Sequence, residues 1–407
     1  MHIQADFNYN QNPDAWRQML KLKMWVVFCF CLIACEAMPE TRYVVPPGTA
    51  GVTPGNGFTN WACAATTIVD AVSGGSSGDT IWLTNGNYYR GAGFGAQSRI
   101  LRSVNGRDFT FVNGGYPDVT GRPFTLNHPD AVVEGVTISN CYSPNSGGAV
   151  YMAQGTLRNC SIIGNRCVTY GGGVYAEGTN TFVYNCIIRD NIASNDSVTV
   201  QAGGVYIGGV MSNCIITMNR SWGPSSAEAD GGGVAAYGNA IIRNCLIVEN
   251  RAEAVGFGGG VMSVGGGTPW FQNCTIASNY ATLDGGGIYN ANLENSIVYF
   301  NTAGRVGSNC FGSTTNYAQA YNSCTAPLTA LGYLSSNNID SNPQFVGFSS
   351  GNYRLTRGSL CINSGMNQDW MNQATDLDQH RRLDRFSGHV DMGAYEYLFS
   401  GNIVVVH

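Results

Sequence analysis

Lysine is almost absent from this chain of 407 residues, in which Lys21 and Lys23 are the only two. Histidine is nearly as rare, and none lies between His128 and His380. Charged residues make up 12% of the sequence, the net charge is -5, and no basic patch with interleaved aromatic residues occurs. We therefore expect no nucleic-acid partner, and any catalysis in the long central region has to use a base other than lysine or histidine.

The central region also lacks apolar residues at helical spacing, and it lacks the paired cysteines that zinc sites need. It has instead abundant glycine, 54 of 407 residues, and a recurring pair of asparagine and cysteine. Five such pairs occur, at intervals of 26, 28, 31 and 29 residues: Asn159-Cys160, Asn185-Cys186, Asn213-Cys214, Asn244-Cys245 and Asn273-Cys274. Self-similarity at such a period predicts a stacked repeat protein.

Each repeat closes with an asparagine six residues after the first one of the pair. At the two ends Glu134-Gly135 and Asn295-Ser296 replace the pair and predict closing positions at Asn140 and Asn301. A glycine tract follows, then apolar and polar residues alternating over three to five positions, which is typical of short strands. We therefore predict an all-β fold, a right-handed parallel β-helix with three short strands per coil, a short N-terminal capping helix and a C-terminal capping module.

Equivalent side chains of successive coils should stack about 4.8 Å apart, which predicts three internal columns. The five cysteines form one, which we interpret as core residues rather than a metal or redox site. The second contains Val150, Val174, Val205, Val234, Val261 and Ile288. The third contains Ile162, Ile188 or Ile187, Ile216, Ile247 or Leu246, and Ile276. Outside the columns, Cys310 and Cys324 are the better disulfide candidates, with Cys63 and Cys361 unassigned.

Segment boundaries follow from these signals. The chain is expected to begin with a signal region at 1–37, with Met19 as an alternative start, followed by an N-terminal cap at 41–79. Regular coils should occupy 80–301 and irregular terminal coils 302–340. A C-terminal module at 341–397 and a tail at 398–407 complete the chain as given. In the cap, a helix is expected from Thr59 to Val72, with Thr59 or Asn60 as its N-cap. The first strand is expected at 78–83.

The start of the chain predicts export. Lys21 and Lys23 precede an apolar run from Met24 to Ala34, which is short for a membrane span and typical of a signal peptide. Residues 32–35 resemble a bacterial lipoprotein box, which predicts a lipid on Cys35. Ordinary cleavage near Ala37 is the alternative. The expected location is the outer membrane or cell surface, as a lipoprotein, or the extracellular medium.

The end of the chain resembles a known family. Asn342-Pro343-Gln344-Phe345, Asp376-Leu377-Asp378 and the run from Asp391 to Tyr397 are similar to the closing module of choice-of-anchor Q domain proteins, secreted bacterial β-helix proteins. The repeats are similar to those of polymorphic outer membrane proteins. The chain departs from the family at Gln379, His380 and Arg381, where glycine and proline are usual. It also stops ten residues after Tyr397, where a sorting signal is common, so anchoring by lipid or release is expected.

The predicted shape also resembles polysaccharide lyases of the pectate lyase kind, which implies an enzymatic alternative. Such lyases use a base and often Ca²⁺, and Ca²⁺ is expected only under this alternative. Without lysine or histidine, Arg189 beside Asp190 and Arg220 are the candidate bases. A glycoside hydrolase would use Asp230 and Asp284, two coils and about 9.6 Å apart, where inverting enzymes need about 6.5 to 9.5 Å.

Binding without catalysis accounts for more of the sequence. After the valine column comes an aromatic residue in most coils, among them Tyr175 and Tyr206, and alternation predicts that these rings face outward. Together with Trp222, Tyr237 and Trp270 they could stack on sugar rings; a tyrosine ladder that only supports strand packing is the alternative. We predict a glycan-binding, adhesin-like protein with a polysaccharide partner and no cofactor. A lyase or hydrolase, and a structural envelope protein, are the other hypotheses.

Overall fold

The structure is a computed structural model that describes residues 38–223, 228–312, 319–330 and 335–398. The predicted signal region, with the lipidation candidate Cys35, lies outside the described residues, as does the tail beyond Leu398. From Glu40 onward the described residues belong to one compact unit. No helix in these ranges is long and apolar enough to cross a membrane.

Parallel strands stack in three long sheets, which run the length of this unit. Within the described residues, sheet 1 has 17 strands: Thr41–Val44, Thr80–Leu83, Ile100–Ser103, Phe124–Glu134, Val150–Arg158, Val174–Ala176, Thr181–Tyr184, Val205–Ile207, Val210–Ser212, Val234–Tyr237, Ile241–Arg243, Val261–Val264, Trp270–Gln272, Ile288–Tyr289, Asn292–Glu294, Cys310–Phe311 and Ala320–Tyr321. Sheet 2 has ten: Gly86–Tyr89, Thr110–Asn113, Thr137–Ser139, Ser161–Ile163, Ile187–Arg189, Ile215–Thr217, Leu246–Val248, Thr275–Ala277, Ile297–Tyr299 and Cys324–Thr325.

Sheet 3 has seven strands: Tyr142–Ser143, Arg166–Cys167, Ile192–Ser194, Arg220–Trp222, Arg251–Glu253, Tyr280–Ala281 and Thr302–Ala303. The coils with the longest loops add sheet 4, with strands Val200–Gln201, Glu228–Asp230 and Val255–Phe257. An antiparallel pair, Phe345–Gly347 with Asn352–Leu355, lies in the C-terminal module. The pairing pattern of sheets 1 to 3 is that of a parallel β-helix, so the predicted fold class is confirmed.

The coil differs in one detail from the prediction of three short strands. From the coil that begins at Val174 onward, sheet 1 contributes two consecutive strands, such as Val174–Ala176 and Thr181–Tyr184. In the two coils before it, a single long strand, Phe124–Glu134 or Val150–Arg158, covers both positions. Three sheets therefore surround the core, but a middle coil has four or five strands.

The three predicted columns are in register and fully buried. Val174 pairs with Val150 and Val205, and Ile162 pairs with Ile188, which resolves the choice between Ile187 and Ile188. Ile216 likewise pairs with Ile247 rather than Leu246. All five column cysteines are at most 1% exposed. Apolar burial along these columns is the main stabilising term of the fold.

A ladder of buried asparagines closes the coils from Asn165 to Asn301 at the corner between sheets 2 and 3. The side-chain amide of each donates to the side-chain oxygen of the next, as in Asn191 to Asn219 at 2.9 Å, and to a core carbonyl, as in Asn191 to Ile162 at 2.9 Å. The prediction that Asn140 belongs to this ladder is wrong. Cys141 occupies the equivalent position, and its backbone N–H donates to the side-chain oxygen of Asn165. The anchor pair was misaligned because Glu134 pairs with Arg158 and not with Asn159.

The N-terminal cap contains two short helical segments instead of the single predicted helix. A 3-10 turn, Trp61–Cys63, is capped by Asn60, and the α-helix, Ile68–Ser73, begins only after its cap Thr67. The single helix from Thr59 fails because Ala65 is held in extended form by hydrogen bonds with Tyr43 and Val45, each 2.9 Å. Those contacts belong to a strand that precedes the predicted first one: Thr41–Val44 pairs with Thr80–Leu83.

Coils continue past Asn301, and the C-terminal module covers their side. Short strands of sheets 1 and 2 extend to Ala320–Tyr321 and Cys324–Thr325. The module then packs on the outer face of sheet 2, where Tyr353 and Tyr395 bury Leu246 and Val248. Its described part is thus a lateral cover rather than a cap on the end of the core. Further 3-10 turns are Asn56–Phe58, Leu328–Ala330, Phe348–Ser350 and Asp369–Asn372.

The predicted disulfide between Cys310 and Cys324 is wrong. Both are free thiols. Cys310 belongs to sheet 1 and Cys324 to sheet 2, so they occupy different walls of the coil. The Cys310 sulfur contacts the hydroxyl of Thr325 at 3.4 Å instead.

Candidate functional site

Outward-facing aromatic rings follow the valine column on sheet 1. Tyr151, Tyr175 and Tyr206 pair in register, with ring centroids 5.6 Å apart for the first two and 4.8 Å for the second two. Tyr170, from the preceding loop, stacks on Tyr175 with ring centroids 6.1 Å apart and makes a tilted contact with Tyr206 at 5.8 Å. We call Tyr151, Tyr170, Tyr175 and Tyr206 the tyrosine strip.

Charged groups fix the edge of the tyrosine strip. The Glu177 carboxylate accepts hydrogen bonds from the hydroxyls of Tyr151 and Tyr175, the latter at 2.9 Å. The Arg122 guanidinium lies 5.0 Å from the Tyr151 ring centroid. Burial first, and then the Glu177 hydrogen bond, raise the pKa of Tyr175, so its hydroxyl stays protonated and can donate. The strip therefore combines ring faces with one carboxylate and one guanidinium at its edge.

The tyrosines differ in how much surface they offer. Tyr206 is 8% exposed, whereas Tyr175 and Tyr151 are half-buried. Tyr237 is 43% exposed and stacks on Tyr206 at 6.0 Å, which extends the strip to the next coil. The rings of the strip thus lie on the opposite side of sheet 1 from the valine column, but Tyr206 is covered by its neighbours, and the same contacts also support strand packing.

Two buried carboxyls lie beside this face, just before the glycine tracts. Equivalent positions in successive coils are Gln201, Asp230, Phe257 and Asp284, as the strand pairs and the backbone hydrogen bond from Gly258 to Asp284 show. The predicted two-coil separation of Asp230 and Asp284, with Phe257 between them, is thus present. Glycine is required next to them: a Cβ on Gly232 would lie 2.4 Å from the Gly259 carbonyl oxygen.

One side-chain oxygen of the buried Asp230 lacks a hydrogen-bond partner among the described residues. Asp230 is 3% exposed, its Oδ2 accepts from the Gln201 amide at 3.4 Å, and its Oδ1 has no hydrogen-bond partner among the described residues. Burial first, and then the charge of Glu228, raise the pKa of Asp230 to about 7. At neutral pH this carboxyl is therefore protonated in a large share of the molecules.

Asp284 has the opposite environment. Arg305 donates two hydrogen bonds to its carboxylate, one of them from Nε to Oδ1 at 2.7 Å, and the Val306 N–H adds a third at 3.3 Å. A bidentate arginine fixes the position of the Asp284 carboxylate. The two acids thus have different surroundings, since Asp230 is buried with one oxygen that lacks a hydrogen-bond partner among the described residues, whereas Asp284 is paired with a cation.

Aromatic rings lie between the two carboxyls. Phe257 contacts Tyr289 edge to face, with ring centroids 5.3 Å apart. Burial, followed by the charges of Asp284 and Asp230, raises the pKa of Tyr289. Tyr289 occupies the same column as Tyr175 and Tyr206, two coils beyond Ala235. The acidic pair and the aromatic column therefore lie along one face of the coils.

The arginine candidates are not brought to this face by any described contact. Arg189 pairs with its neighbour Asp190 at 3.7 Å, and both are exposed at the end of a sheet 2 strand. Arg220 pairs with Glu253 on sheet 3. Neither arginine forms an ion pair with Asp230 or Asp284 within the described parts of the chain.

The two predicted tryptophans also lie apart from the tyrosine strip. Trp222 faces outward on sheet 3, 5.9 Å from the Arg220 guanidinium. Trp270 belongs to the second strand position of sheet 1 and stacks on Tyr321 at 6.0 Å. They form separate aromatic surfaces rather than one continuous groove with Tyr175.

Sequence reasoning missed the polar groups that organise the site. Glu177 lies two residues after Tyr175, so strand alternation places both on one face and could have identified it. Arg122, Tyr170 and Arg305 come from loops, and no periodic signal marks them. The cysteine column, by contrast, is sealed from solvent, with each thiol at most 1% exposed, and burial raises the pKa of Cys160 well above its usual range.

Comparisons with known proteins agree with this architecture. Residues 124–276 match the family model described as a right handed beta helix region. Of solved structures, one described as pectate lyase Pel9A is similar with a TM-score of 0.59 and 16% sequence identity, covering 88% of this chain and 97% of its own. A rhamnogalacturonan lyase gives a TM-score of 0.46 and 12% identity over 89% and 97%. No curated protein matches the chain. At such identities the first likeness shows the shared fold, a right-handed parallel β-helix, and the chemistry has to be argued from the residues.

Proposed function

We propose that this protein binds an extended polysaccharide along the tyrosine strip of sheet 1, in the manner of a glycan-binding surface protein. Support comes from one observation above all: outward aromatic rings repeat from coil to coil, with the Glu177 carboxylate and the Arg122 guanidinium at their edge. Ring faces provide apolar contact for sugars, and the charged groups provide hydrogen bonds to hydroxyls. A polysaccharide ligand is also in keeping with the lyase named for the most similar fold reported above.

Export belongs to the same proposal. The signal region predicted at 1–37 would bring the binding face outside the cell, either on a lipid-anchored protein carrying the lipid on Cys35 or on a released one. Incorporation of labelled fatty acid that persists in Cys35→Ser would reject the lipid anchor.

The proposal predicts a specific loss on removing a ring. We expect Tyr175→Ala to weaken retention in affinity electrophoresis by about tenfold, equivalent to about 1.4 kcal/mol, when tested against a panel of acidic and neutral polysaccharides. Tyr89→Ala is the matched control, because Tyr89 is 53% exposed on sheet 2, away from the strip. Equal retention of both variants, with thermal unfolding unchanged, would overturn the tyrosine strip as the binding face.

Cleavage of the bound glycan is a second candidate function, favoured by the acidic pair. Burial raises the pKa of Asp230, whose Oδ1 has no hydrogen-bond partner among the described residues, and Asp284 lies two coils away in a bidentate pair with Arg305. The separation of about 9.6 Å lies at the upper edge of the range for inverting glycosidases. New reducing or unsaturated ends, formed by the wild type and absent with Asp230→Asn, would assign this activity. Retention of polysaccharide without such products leaves binding as the function.

A further inference from the structure

A cavity of about 520 Å³ lies on the C-terminal module, remote in sequence from the tyrosine strip. The residues that line the cavity are partly polar or charged and partly apolar. His380, Arg381 and Arg385 supply polar and positively charged groups, and Leu383, Phe386 and Leu398 supply apolar surface. A volume of this size is within the range of small-ligand sites, roughly 300 to 1,000 Å³.

The first wall of this cavity is a preformed hairpin. The buried carboxylate of Asp376 accepts hydrogen bonds from the N–H groups of Asp378, His380 and Glu396, all between 2.8 and 2.9 Å. Backbone pairing of Thr375 with Arg381 closes the hairpin.

The second wall is equally fixed. Asp384 accepts from the N–H groups of Phe386 and Ser387 at 2.8 and 2.6 Å. Its own N–H donates to the His389 carbonyl at 3.2 Å, which closes the turn that carries Arg385. Both arginines of the cavity thus project from turns whose backbone an aspartate holds in place, so a ligand would have to order only their side chains.

The two arginines of this cavity are unpaired among the described residues, although the Asp384 carboxylate and Gln379 also line it. Two neighbouring arginines of the module have carboxylate partners: Arg354 pairs with Asp378, and Arg382 pairs with Glu396 at 2.9 Å. Arg381 and Arg385, across the residues that the structure describes, form neither an ion pair nor a side-chain hydrogen bond. Two arginine forks beside an apolar wall match a ligand that has an anionic group and an apolar face.

The geometry points to a binding site for a sugar carboxylate, a uronic acid unit, in the cavity formed by Arg381, Arg385 and Phe386. The two arginines receive the carboxylate, and the ring face packs on Phe386, which is 73% exposed. This site goes beyond the proposed function, because the module packs on sheet 2 whereas the tyrosine strip lies on sheet 1.

The test is binding of galacturonate to the full chain, measured by saturation-transfer NMR and calorimetry, with galactose and acetate as probes that lack the carboxylate or the ring. We expect galacturonate to bind at least about tenfold more tightly than either probe. The double variant Arg381→Gln/Arg385→Gln should lose this binding. Arg357→Gln, an exposed arginine of the same module outside the cavity, should retain it.

Two results would contradict a galacturonate site in this cavity. Acetate binding as tightly as galacturonate, or galacturonate binding that survives the double change, would overturn the site. Tyr175→Ala should leave galacturonate binding at this cavity unchanged, so a failure of the tyrosine strip and a failure of this site can be told apart. Circular dichroism of the double variant checks that the module remains folded.

Discussion

At the scale of single residues, asparagine performs two tasks in this fold. One set is buried and joins the coils through side-chain hydrogen bonds, as Asn219 does with Asn250 at 3.0 Å. The other set precedes the column cysteines and adopts a left-handed backbone, with φ of 49° at Asn185 and 53° at Asn213. Asparagine tolerates this conformation better than most residues, so the motif that marks each repeat also makes the corner between sheets 1 and 2.

Asp230 is the residue whose titration should be visible in stability. Its pKa is raised to about 7 in the folded protein, above the ordinary value of 3.8. The folded state therefore binds more protons than the unfolded state between these values, so stability falls as pH rises through this window and is constant above it. A shift of about 3 units corresponds to at most about 4 kcal/mol.

We expect Asp230→Asn to remove this loss, so that the variant gains stability over the wild type at about pH 8 and not at about pH 4. Denaturant midpoints at the two pH values measure the difference. Asp118→Asn is the control, since Asp118 is exposed. A wild type and an Asp230→Asn variant with parallel pH profiles would show that the carboxyl is not buried as described.

At the scale of elements, the asparagine ladder holds the corner between sheets 2 and 3. Asn219 accepts from the N–H and the side-chain amide of Asn191, at 3.0 and 2.9 Å, and donates to the Ile188 carbonyl at 2.9 Å. Removing it leaves several buried groups without partners, each costing about 1 to 3 kcal/mol.

We predict that Asn219→Ala destabilises the protein by about 3 kcal/mol or more, measured as the shift in denaturant midpoint. Asn185→Gly should cost well under about 1 kcal/mol, because glycine adopts the left-handed backbone of that exposed corner without strain. Similar losses for the two variants would contradict the division of asparagines into a buried ladder and an outer corner.

The elements also show what the sequence could and could not reveal. Recurring Asn-Cys pairs were enough to predict the register of Cys160, Ile162 and Val174, because a one-residue slip would expose each column. Asn140 was misplaced because Glu134 is not an anchor and only strand pairing shows it. Ala65 was placed in a helix because local propensity favours one, whereas a partner strand more than twenty residues earlier in the sequence holds it extended.

At the scale of the whole molecule, the C-terminal module covers the outer face of sheet 2 and also contacts sheet 1, where the Trp370 ring centroid lies 4.9 Å from the guanidinium of Arg243. Its main-chain carbonyls accept from the outer asparagines, as Thr375 does from Asn244 at 2.9 Å and Asp391 from Asn273 at 3.0 Å. The buried outward residues Leu246 and Val248 were a signal that this face is covered. Which segment covers it could not be predicted, since the contacts join residues over a hundred positions apart.

The dependence of glycan affinity on chain length tests the central claim most directly. Because the aromatic positions repeat about every 4.8 Å along the coils, a ligand lying on them should gain contacts with each added sugar. The ligands are oligosaccharides from the disaccharide upward, prepared from the polysaccharide that the wild type retains. We expect the affinity measured by calorimetry to rise with oligosaccharide length until the ligand spans the tyrosine strip. In Tyr175→Ala the affinity should rise less with length. A monosaccharide that binds as tightly as the longest oligosaccharide would contradict recognition along the face of the β-helix.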